Sequence, residues 1–554
     1  MKKKLYIKAV CSVLVGTLML GLVGCGNPNN KETTAENKPN ETTGTQSTEA
    51  EPNTDGETSS GDVALTYPLD TDVTFTMYAQ GAYMIPEGYK TFDESPWHQG
   101  LETVTGVKVE WEYPGENLDL RLAVPEDRPD VFGHGGISNE VLSGYIADDV
   151  IIDLTDLLPV YAPDLWEYIH KDEYTLKSFL TDDGRLWFVP GMRENKGMTN
   201  YIGPVIRKDW LQECGLDMPV TMEDWEEVLV KFNEKYGAKF VCTYGDLKGY
   251  SFASGTGAMS AITNRLFVDD NGKIQSANIQ PEWKELISYL AKWYKMGLID
   301  EDTFTADRAI IRQKVLSGET GLLFTAQSQL TVYDTDATEN NTGAEWVGVS
   351  YPRTEAGAPT TMIQYGSSLA NGYKVCITTN CDEEKIPTIL AWMNYPYTEA
   401  GMKYYNFGQE GVSYTLDDNG TPQWTDLVEK HPNGKEVGIA TWSMMPGQCI
   451  GVQMFDFVNS RNLPIAVEAQ KIWIENTDAG KHLVPTLTLT EDEALTYSDI
   501  WAACNTFVEE SALAFITGEK SLDEFDAYVQ ELNKMGLPEA IAIQQAAFDR
   551  FMSK

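Results

Sequence analysis

The chain has 554 residues, of which 42% are apolar and 11% aromatic, so a sizeable buried core is expected. Its formal net charge at pH 7 is −41. Nucleic acids and anionic lipid surfaces are bound by clustered Lys and Arg, so this charge argues against both as partners. It also disfavours strongly anionic ligands, although a local basic pocket could override the average charge.

The first 24 residues have the pattern of a secretory signal peptide. Three lysines in residues 1–4 are followed by an apolar run from Val10 to Val23. A charged start, a short apolar core and small residues before a cleavage point are typical of an export signal. The run is too short and wrongly flanked for a membrane span. We therefore expect residues 1–24 to be removed on export.

The segment Leu22-Val23-Gly24-Cys25 resembles the bacterial lipobox. The resemblance implies that a diacylglyceryl group is attached to the Cys25 sulfur and that the chain is cut just before it. The mature protein would then be anchored by its acyl chains (palmitate, for example) at the extracellular face of the cell membrane, since two chains suffice for stable anchoring. The alternative is an ordinary cleaved signal in which Cys25 is incidental.

Residues 25–63 are rich in Asn, Thr, Glu, Ser, Gly and Pro and contain almost no large apolar side chains. Such a segment cannot bury enough surface to offset the entropy lost on ordering, so we interpret it as a flexible tether. The remaining residues, 64–554, are enough for two or three domains.

Three predicted strands follow the tether. Apolar side chains alternate with polar ones over Val73–Tyr78 and again over Val107–Tyr113, which is the period of a half-buried strand. A third strand, Pro129–Phe132, leads into the glycine-rich segment Gly133–Gly136. The intervening segments are long enough for helices, so the order of elements predicts an α/β fold with a largely parallel, doubly wound sheet.

Helices are predicted with defined starting points further along the chain. Thr221 and Asp224 form a capping-box pair at the start of a helix that extends to Tyr236. Pro281 opens another helix, because proline is favoured in the first turn. Ser521 and its capping partner three residues later begin a third, with Phe525, Val529 and Leu532 expected on its buried face.

Metal and cofactor sites are not indicated. The Asp-rich segments 182–184, 269–272 and 417–420 lack the spacing of a calcium-binding loop and are better explained as turns. The histidines and cysteines have no metal-binding spacing. An exported chain permits disulfides, but buried free thiols are favoured here. We expect neither a metal nor a cofactor.

No catalytic motif is found either. The chain has five histidines and lacks the nucleophile elbow, the phosphate-binding loop and the dinucleotide fingerprint. Its carboxylates are so abundant that any two could be imagined as a glycosidase pair, so their presence carries no information. We predict that the protein is not an enzyme, and keep a lipid-anchored glycan-processing enzyme as the alternative.

Some aromatic residues lie in loops where packing does not require them, notably Tyr78, Tyr250, Phe252, Tyr365 and Trp442. Sugar rings have apolar faces and hydroxyl rims. A site with flat aromatic side chains and a few well-placed polar groups would suit them. These residues are therefore candidates for a carbohydrate-binding site.

Several blocks along the chain resemble, in order, those of extracellular solute-binding lipoproteins of ABC sugar importers (family 1 type), the large lipoprotein type found in many Gram-positive bacteria. The resembling blocks are Arg128–Phe132, Asp183–Pro190, Val205–Leu211, Gly408–Tyr414, Ala514–Glu519 and Phe548–Phe551. Each block alone is weak evidence, but together they extend over most of residues 70–551.

The resemblance implies a two-lobed periplasmic-binding-protein-like fold (type 2) with an interlobe ligand cleft and hinge crossovers. Lobe 1 would comprise residues 64–190 and 360–415, and lobe 2 residues 191–359 and 416–554. The implied function is capture of a carbohydrate, in our expectation an oligosaccharide, for an ABC transporter permease by a monomeric protein. A peptide or signal receptor on the same fold is a further alternative, because fold does not determine function.

The resemblance also implies a set of ligand-binding residues. By their positions in the matching blocks these are Tyr78, His134, Gly135, Arg193, Tyr201, Tyr250, Phe252, Gln327, Tyr365 and Trp442. Gln327 stands where relatives have a cleft aromatic, which weakens that assignment. Arg207, Asp209 and Trp210 are expected to be structural. Some relatives have a calcium loop after the matching helix, but residues 236–244 contain no acid, so none is expected here.

Overall fold

The computed structural model describes residues 65–79, 88–91, 94–112, 118–443 and 450–554. The predicted signal peptide 1–24, the lipidation site Cys25 and the tether 25–63 lie outside the described residues. Residues 64–554 form one compact unit.

The strands, numbered along the chain, are β1 Thr74–Ala79, β2 Lys108–Glu112, β3 Val131–His134, β4 Val189–Arg193, β5 Ile202–Arg207, β6 Leu266–Val268, β7 Ile274–Ser276, β8 Leu322–Ala326, β9 Trp346–Gly348, β10 Ala370–Ile377, β11 Tyr414–Leu416, β12 Pro422–Trp424 and β13 Gly451–Gln453. The helices are α1 Pro96–Thr105, α2 Leu118–Leu122, α3 Asn139–Ala147, α4 Leu158–Tyr161, α5 Pro163–Ile169, α6 Glu173–Phe179, α7 Lys208–Cys214, α8 Met222–Tyr236, α9 Tyr244–Gly249, α10 Pro281–Lys295, α11 Arg308–Ser317, α12 Gln327–Glu339, α13 Ile386–Asn394, α14 Glu399–Phe407, α15 Asp426–Glu429, α16 Lys435–Trp442, α17 Phe455–Asn459, α18 Pro464–Ile474, α19 Glu491–Thr517, α20 Phe525–Lys534 and α21 Leu537–Ser553.

The first sheet has, within the described residues, six strands in the order β13-β4-β10-β3-β1-β2. Strand β1 pairs in parallel with β2 and β3, as the sequence predicts. Strand β10 runs antiparallel between β3 and β4, and β13 is parallel to β4. The sheet is therefore mixed rather than largely parallel. The carboxyl ends of β3, β4 and β13 and the start of β10 lie along one edge.

A first hydrophobic core packs against this sheet. It includes the strand residues Phe75 and Phe132 and the helical residues Trp97 and Trp392. The start of helix α1 is capped by Ser95, whose side chain accepts a hydrogen bond from the His98 backbone N–H. Helices of this kind bury one face against the sheet and leave the other in water.

The second sheet, in the described part of the chain, has three antiparallel strands in the order β8-β5-β9. A second core surrounds it, to which helices α8, α10, α18 and α19 contribute fully buried side chains. The capping box of α8, formed by Thr221 and Asp224, is present as predicted. Helix α10 begins at Pro281, also as predicted.

The helix predicted from Ser521 differs in detail. A 3₁₀ turn over Leu522–Glu524 carries the predicted capping box and precedes α20. The α-helix itself starts at Phe525. Residues three and four positions after Phe525 share one helix face, and here Tyr528 and Leu532 are the buried ones, whereas Val529 is half-buried.

The two sheets have separate cores, which gives the two-lobed fold that the family resemblance implied. Among the described residues, segments 194–201, 364–369 and 454–463 cross between the lobes, because each connects an element of one core to an element of the other. The resemblance implies that residues 416–554 belong to lobe 2. Strand β13 lies within that range but pairs with β4 of the first sheet. Two strands this far apart in the chain share no local pattern of residues from which their pairing could be predicted.

Local predictions from the Asp-rich segments are confirmed. Residues 269–272 form the turn between β6 and β7, and Asp269 accepts hydrogen bonds from the backbone N–H groups of Asn271 and Lys273. Residues 417–420 form the equivalent turn between β11 and β12. Residues 182–184 lie in a turn closed by Thr181 and Arg185. No group of acidic, His or Cys side chains in the described ranges could hold a metal ion.

Arg207, Asp209 and Trp210 are structural, as expected. The Arg207 guanidinium donates to the Asp209 carboxylate, which lowers the carboxyl pKa. It also lies 4.4 Å from the Trp210 ring centroid. Trp210 in turn stacks on Tyr236 at 4.0 Å.

Cys214, Cys376, Cys381 and Cys504 are free thiols, and all of these except Cys214 are buried, as the sequence interpretation favours. None of the helices in the described ranges has the length and apolar character needed to cross a membrane.

Candidate ligand-binding cleft

The carboxyl edge of the first sheet collects chain segments that are far apart in sequence. Strands β3, β4 and β13 end there at His134, Arg193 and Gln453, and β10 begins there at Ala370. Open α/β sheets bind ligands beyond the carboxyl ends of their strands. The second lobe approaches this edge with the junction between β8 and α12, so the candidate site lies between the lobes.

A cavity of about 430 Å³ lies where β13 ends, and we call it the β13 cavity. It is lined by Tyr201, Ala326, Gln327, Ser328, Glu436, Gln453, Val458, Arg461 and Asn462. The first four residues belong to the second lobe or the crossover into it, and the others to β13, α16 and the segment around α17. A ligand in this cavity would therefore contact both lobes.

Gln327 forms the inner wall of the β13 cavity and is almost fully buried. Its side-chain amide donates to the Ala466 carbonyl at 3.1 Å and to Gln470 Oε1 at 3.3 Å. Gln470 donates in turn to the Asn200 carbonyl at 2.7 Å. This network joins α12, α18 and the first crossover, because buried polar groups need partners. It fixes the orientation of the Gln327 amide at the cavity.

Tyr201 lines the same cavity and is 50% exposed. Its backbone N–H donates to Gln364 Oε1 at 3.1 Å, and its carbonyl accepts from the Gln327 backbone N–H at 2.7 Å. The backbone of Tyr201 is thus held by hydrogen bonds to Gln364 and Gln327, while much of its ring faces solvent. An aromatic face of this kind can stack against the apolar face of a sugar ring.

Glu436 and Arg461 form an ion pair in the wall of the β13 cavity. Arg461 Nη2 lies 2.5 Å from Glu436 Oε2, and Arg461 Nε lies 3.4 Å from Oε1. Glu436 is in the first turn of α16, and Arg461 follows α17. The pair therefore links two segments of the wall and offers both an acceptor and a donor to a ligand.

A second cavity of about 380 Å³ lies where β3 ends, and we call it the β3 cavity. Gly135 and the residues up to Glu140 line one side, Ala370 and Lys374 another, and Thr486 and Leu487 a third. The Lys374 ammonium donates to the Ile137 carbonyl at 2.6 Å and to Asn139 Oδ1 at 3.3 Å. Burial lowers the pKa of Lys374.

His134 precedes the β3 cavity at the end of β3. Its Nδ1 accepts a hydrogen bond from the Gly136 backbone N–H at 2.8 Å, which shapes the glycine-rich loop. Burial lowers the pKa of His134, so the neutral imidazole is favoured. Gly135 is exposed and lines the cavity, whereas the His134 ring supports the loop behind it.

Arg193, Tyr78 and Tyr250 line neither cavity. Arg193 donates to the Ala370 carbonyl, and burial lowers its pKa, so it joins β4 to the start of β10. Tyr78 is 3% exposed in β1. The Tyr250 ring lies 4.8 Å from the Arg265 guanidinium, which also donates to its hydroxyl at 3.3 Å. These predicted site residues are occupied by contacts within the protein.

Phe252 is not a cleft residue, contrary to the prediction. Its side chain is fully buried in the second core. The rings around it are Trp225, Phe240, Trp293 and Phe324, with centroids 5.0–5.4 Å away. The Gly- and Ser-rich neighbourhood suggested an exposed loop. The segment instead folds inward, so Phe252 contributes packing rather than ligand contact.

Tyr365 and Trp442 are half-buried and line neither cavity. Tyr365 packs against the second core, and burial raises its pKa. Trp442 packs against a small separate core that contains Phe407, Tyr414 and Trp424. Of the residues predicted from the sequence, the structure thus brings Gly135 to the β3 cavity and Tyr201 and Gln327 to the β13 cavity.

Several cavity residues were not predicted. Glu436, Gln453, Arg461 and Asn462 line the β13 cavity, and Lys374 lines the β3 cavity. They are polar residues among many others of the same types, in segments that carry no motif. Only the pairing of β13 with β4 and of β10 with β3 brings them to the cleft.

No protein-family model matches the chain. It is 24% identical over 518 residues to the fructooligosaccharide ABC transporter substrate-binding protein FusA of Streptococcus pneumoniae serotype 4, covering 88% of this chain and 92% of FusA. It is 25% identical over 469 residues to lipoprotein LipO of Bacillus subtilis strain 168, covering 80% of this chain and 87% of LipO.

Solved structures show the same fold. An extracellular solute-binding protein from Bifidobacterium longum subsp. infantis has a TM-score of 0.65 at 17% identity, covering 86% of this chain and 98% of that one. FusA in complex with kestose has a TM-score of 0.58 at 20% identity, covering 87% of this chain and all of that one. The chain therefore has the two-lobed fold of solute-binding proteins and is a relative, along most of its length, of ABC transporter substrate-binding proteins.

Proposed function

We propose that the protein is a lipid-anchored extracellular receptor that captures an oligosaccharide for an ABC transporter. The observation that carries this proposal is the β13 cavity, which is lined from both lobes by an exposed aromatic ring and by amide, hydroxyl and charged side chains. Such a lining suits a polyhydroxylated ligand. The similarity to FusA, which is described as binding fructooligosaccharides, supports the same ligand class.

The proposed mechanism is ligand-stabilised closure of the two lobes. Gln453 and Arg461 approach the cavity from one side, and Tyr201 and Gln327 approach it from the other. A ligand that bridges them gains contacts only when the lobes are close, so it favours the closed state in proportion to that difference in affinity. The crossovers 194–201, 364–369 and 454–463 are the hinge segments.

Binding without hydrolysis is favoured by the distribution of carboxylates in the cleft. Glycosidases place two carboxyl groups on opposite sides of one scissile bond, about 5 to 10 Å apart. Among the residues lining the two cavities, Glu436 is the carboxylate of the β13 cavity and Glu140 that of the β3 cavity. Glu436 is already engaged by Arg461. Relatives of the chain are binding proteins, which agrees with this proposal.

The lipid anchor at Cys25 would keep the cleft at the outer face of the membrane. Mass spectrometry of the mature N-terminus should find a diacylglyceryl group on Cys25. The variant Cys25→Ser should be released into the medium. Unmodified Cys25 in a membrane-free protein would contradict the anchor and leave the binding function to be judged separately.

Calorimetric titration of residues 64–554, which form one compact unit, tests the function itself. Neutral oligosaccharides of the fructo-, gluco-, galacto- and manno- series are suitable probes. We expect at least one to bind with a micromolar or lower Kd, about −8 kcal/mol or more favourable, and to be recovered uncleaved. Absence of binding by the folded protein, or hydrolysis of a bound oligosaccharide, would contradict the proposal.

Tyr201→Ala should weaken binding of the oligosaccharide found in that screen by about 1–2 kcal/mol, roughly tenfold in Kd. The reason is the loss of a half-exposed aromatic surface from the cavity wall. The matched control Tyr201→Phe keeps the ring and should bind within about twofold of the original protein. Equal affinity of the alanine variant, with unchanged thermal unfolding, would remove Tyr201 from the site.

A further inference from the structure

The charges of the β13 cavity are paired within its wall. Among its lining residues, Glu436 and Arg461 are the charged ones, and they contact each other. The cavity wall is therefore formally neutral although it contains a carboxylate and a guanidinium. The other polar lining groups are the amides of Gln327, Gln453 and Asn462 and the hydroxyls of Tyr201 and Ser328.

The pairing geometry occupies one of the two edges through which Arg461 could bind an acid with paired N–H groups. Arginine binds a carboxylate best through two parallel N–H groups of its planar fork. Here Nε and Nη2 of Arg461 both face Glu436, at 3.4 and 2.5 Å from its two oxygens. A carboxylate on a ligand could reach only the remaining N–H groups, on Nη1 and Nη2, and there it would be repelled by Glu436.

The groups beside the cavity reinforce this preference. Glu194 accepts a hydrogen bond from the Phe455 backbone N–H at 2.6 Å, and its own backbone N–H donates to the Gln453 carbonyl. A carboxylate therefore lies next to the strand end that lines the cavity. The neighbouring ammonium of Lys435 is paired with Glu429 at 2.7 Å. Arg193, at the same edge, is half-buried and donates to a carbonyl, and it does not line the cavity.

We infer that the β13 cavity selects an uncharged sugar unit, and that Glu436 determines this specificity by occupying one edge of the Arg461 guanidinium and repelling uronates. The inference rests on the proposed function and adds to it the chemical class of the ligand. Neutral hydroxyl groups can accept from the remaining N–H groups of Arg461 and donate to Glu436 without separating the pair. A carboxylate at C6 cannot donate to Glu436 and is repelled by its charge.

Matched saccharides and two variants test the inference. Neutral trisaccharides of the gluco-, galacto- and manno- series are titrated alongside the corresponding triuronates, which differ only by oxidation at C6. The original protein should bind its preferred neutral trisaccharide at least about tenfold more tightly than the matching triuronate. In Glu436→Gln the negative charge that repels the uronate is lost, so the ratio of the two affinities should fall by about tenfold.

The control is Glu429→Gln. It removes the same charge from an ion pair in the neighbouring helix α15, but Glu429 does not line the cavity. Its affinity ratio should equal that of the original protein. Glu436 is 60% exposed in its side chain, so the test variant should fold, and thermal unfolding checks this.

The possible outcomes separate the inference from the proposed function. Equal or tighter binding of the triuronate by the original protein overturns the inference and leaves the proposed function standing. Failure of the folded protein to bind any saccharide overturns both. An unchanged ratio in Glu436→Gln, or an equal change in Glu429→Gln, shows that Glu436 does not set the specificity and overturns the inference alone.

Discussion

The two lobes supply the cleft in different ways. The first lobe presents the ends of strands and the loops that follow them, because its six-stranded sheet aligns several strand ends at one edge. The second lobe has a three-stranded sheet and contributes through one strand-to-helix junction, at Ala326–Ser328, and through the crossover residue Tyr201. The first surface therefore depends on strand pairing, whereas the second depends on how helices pack around a short sheet.

Helix α18 is the element on which the second surface depends most. It follows the third crossover, and its residues Ala466, Gln470 and Trp473 are buried. Gln470 and the Ala466 carbonyl hold Gln327, and Trp473 packs into the second core. A helix that is distant in sequence from β8 thus orients the cavity wall formed at the β8–α12 junction.

The largest expected effect is on this helix. Trp473→Ala should destabilise the second lobe by about 4 kcal/mol, because a fully buried indole is lost and its hydrogen bond to the Pro204 carbonyl, at 2.9 Å, is removed. Chemical denaturation followed by circular dichroism measures the change. A cost below about 1 kcal/mol would show that α18 does not hold the second lobe together.

A double-mutant cycle sharpens this test. A Cβ atom on Gly203 would lie 2.3 Å from the Trp473 ring, so Gly203→Ala alone should cost about 2 kcal/mol through overpacking. In the Trp473→Ala background the new methyl group enters the space left by the indole, and its cost should nearly vanish. Additive costs would contradict the close approach of β5 to α18.

The next effect concerns the first lobe and its response to acid. Burial lowers the pKa of His98 to about 3, from an ordinary value of 6.5, and its Nδ1 lies 2.5 Å from the Ser95 hydroxyl oxygen. Below pH 6.5 the unfolded chain takes up a proton that the folded protein does not, so stability falls as pH drops towards 3. The loss between pH 7.5 and 4.5 should be about 3 kcal/mol.

His98→Gln should remove this part of the pH dependence, whatever its effect at neutral pH. The comparison is therefore the difference in unfolding free energy between pH 7.5 and 4.5 in each protein. Other groups that titrate in this range are common to both. Identical differences would mean that His98 is not the neutral, buried group that the first core requires.

The smallest expected effect is on one of the contacts that join the lobes away from the crossovers. Lys554, after α21, donates to the Leu180 carbonyl at 2.7 Å and pairs with Asp182 at 3.2 Å. Its side chain is 4% exposed. Lys554→Met should cost about 1 kcal/mol by removing these bonds while keeping the apolar stem. It should also separate the denaturation transitions of the two lobes.

Lys534→Met is the matched control. Lys534 is 71% exposed and pairs only with Glu531 of the same helix in the described structure, so its loss should change stability by less than about 0.5 kcal/mol. Equal effects of the two substitutions, or a single unchanged transition in Lys554→Met, would show that Lys554 does not couple the lobes.

Elements with strong local signals were predictable. The capping box at Thr221 and Asp224, the helix start at Pro281 and the Asp-led turns at 269–272 and 417–420 depend on side chains within a few residues of each other. The strand alternation of β1 and β2 is equally local. Local hydrogen bonding and hydrophobic period are sufficient to specify such features.

The cleft was less predictable because burial is not a local property. Phe252 and Tyr201 both follow segments that suggest loops, yet Phe252 is fully buried and Tyr201 is half exposed. Glu436 and Arg461 lie in unremarkable polar segments and meet only because α16 and the residues after α17 approach each other. No spacing rule connects such residues, since their proximity arises from packing of the whole lobe.

The sequence by itself determined the α/β class, the helix and turn boundaries with capping signals, and the acidic composition, and its resemblance to solute-binding lipoproteins implied the two lobes. Tertiary structure alone decided that β10 runs antiparallel to its neighbours in the first sheet, that β13 belongs to that sheet, and that Glu436 and Arg461 pair in the cavity wall. The reason is physical: capping and periodicity act within a few residues, whereas strand order and side-chain pairing follow from contacts between segments far apart in the chain.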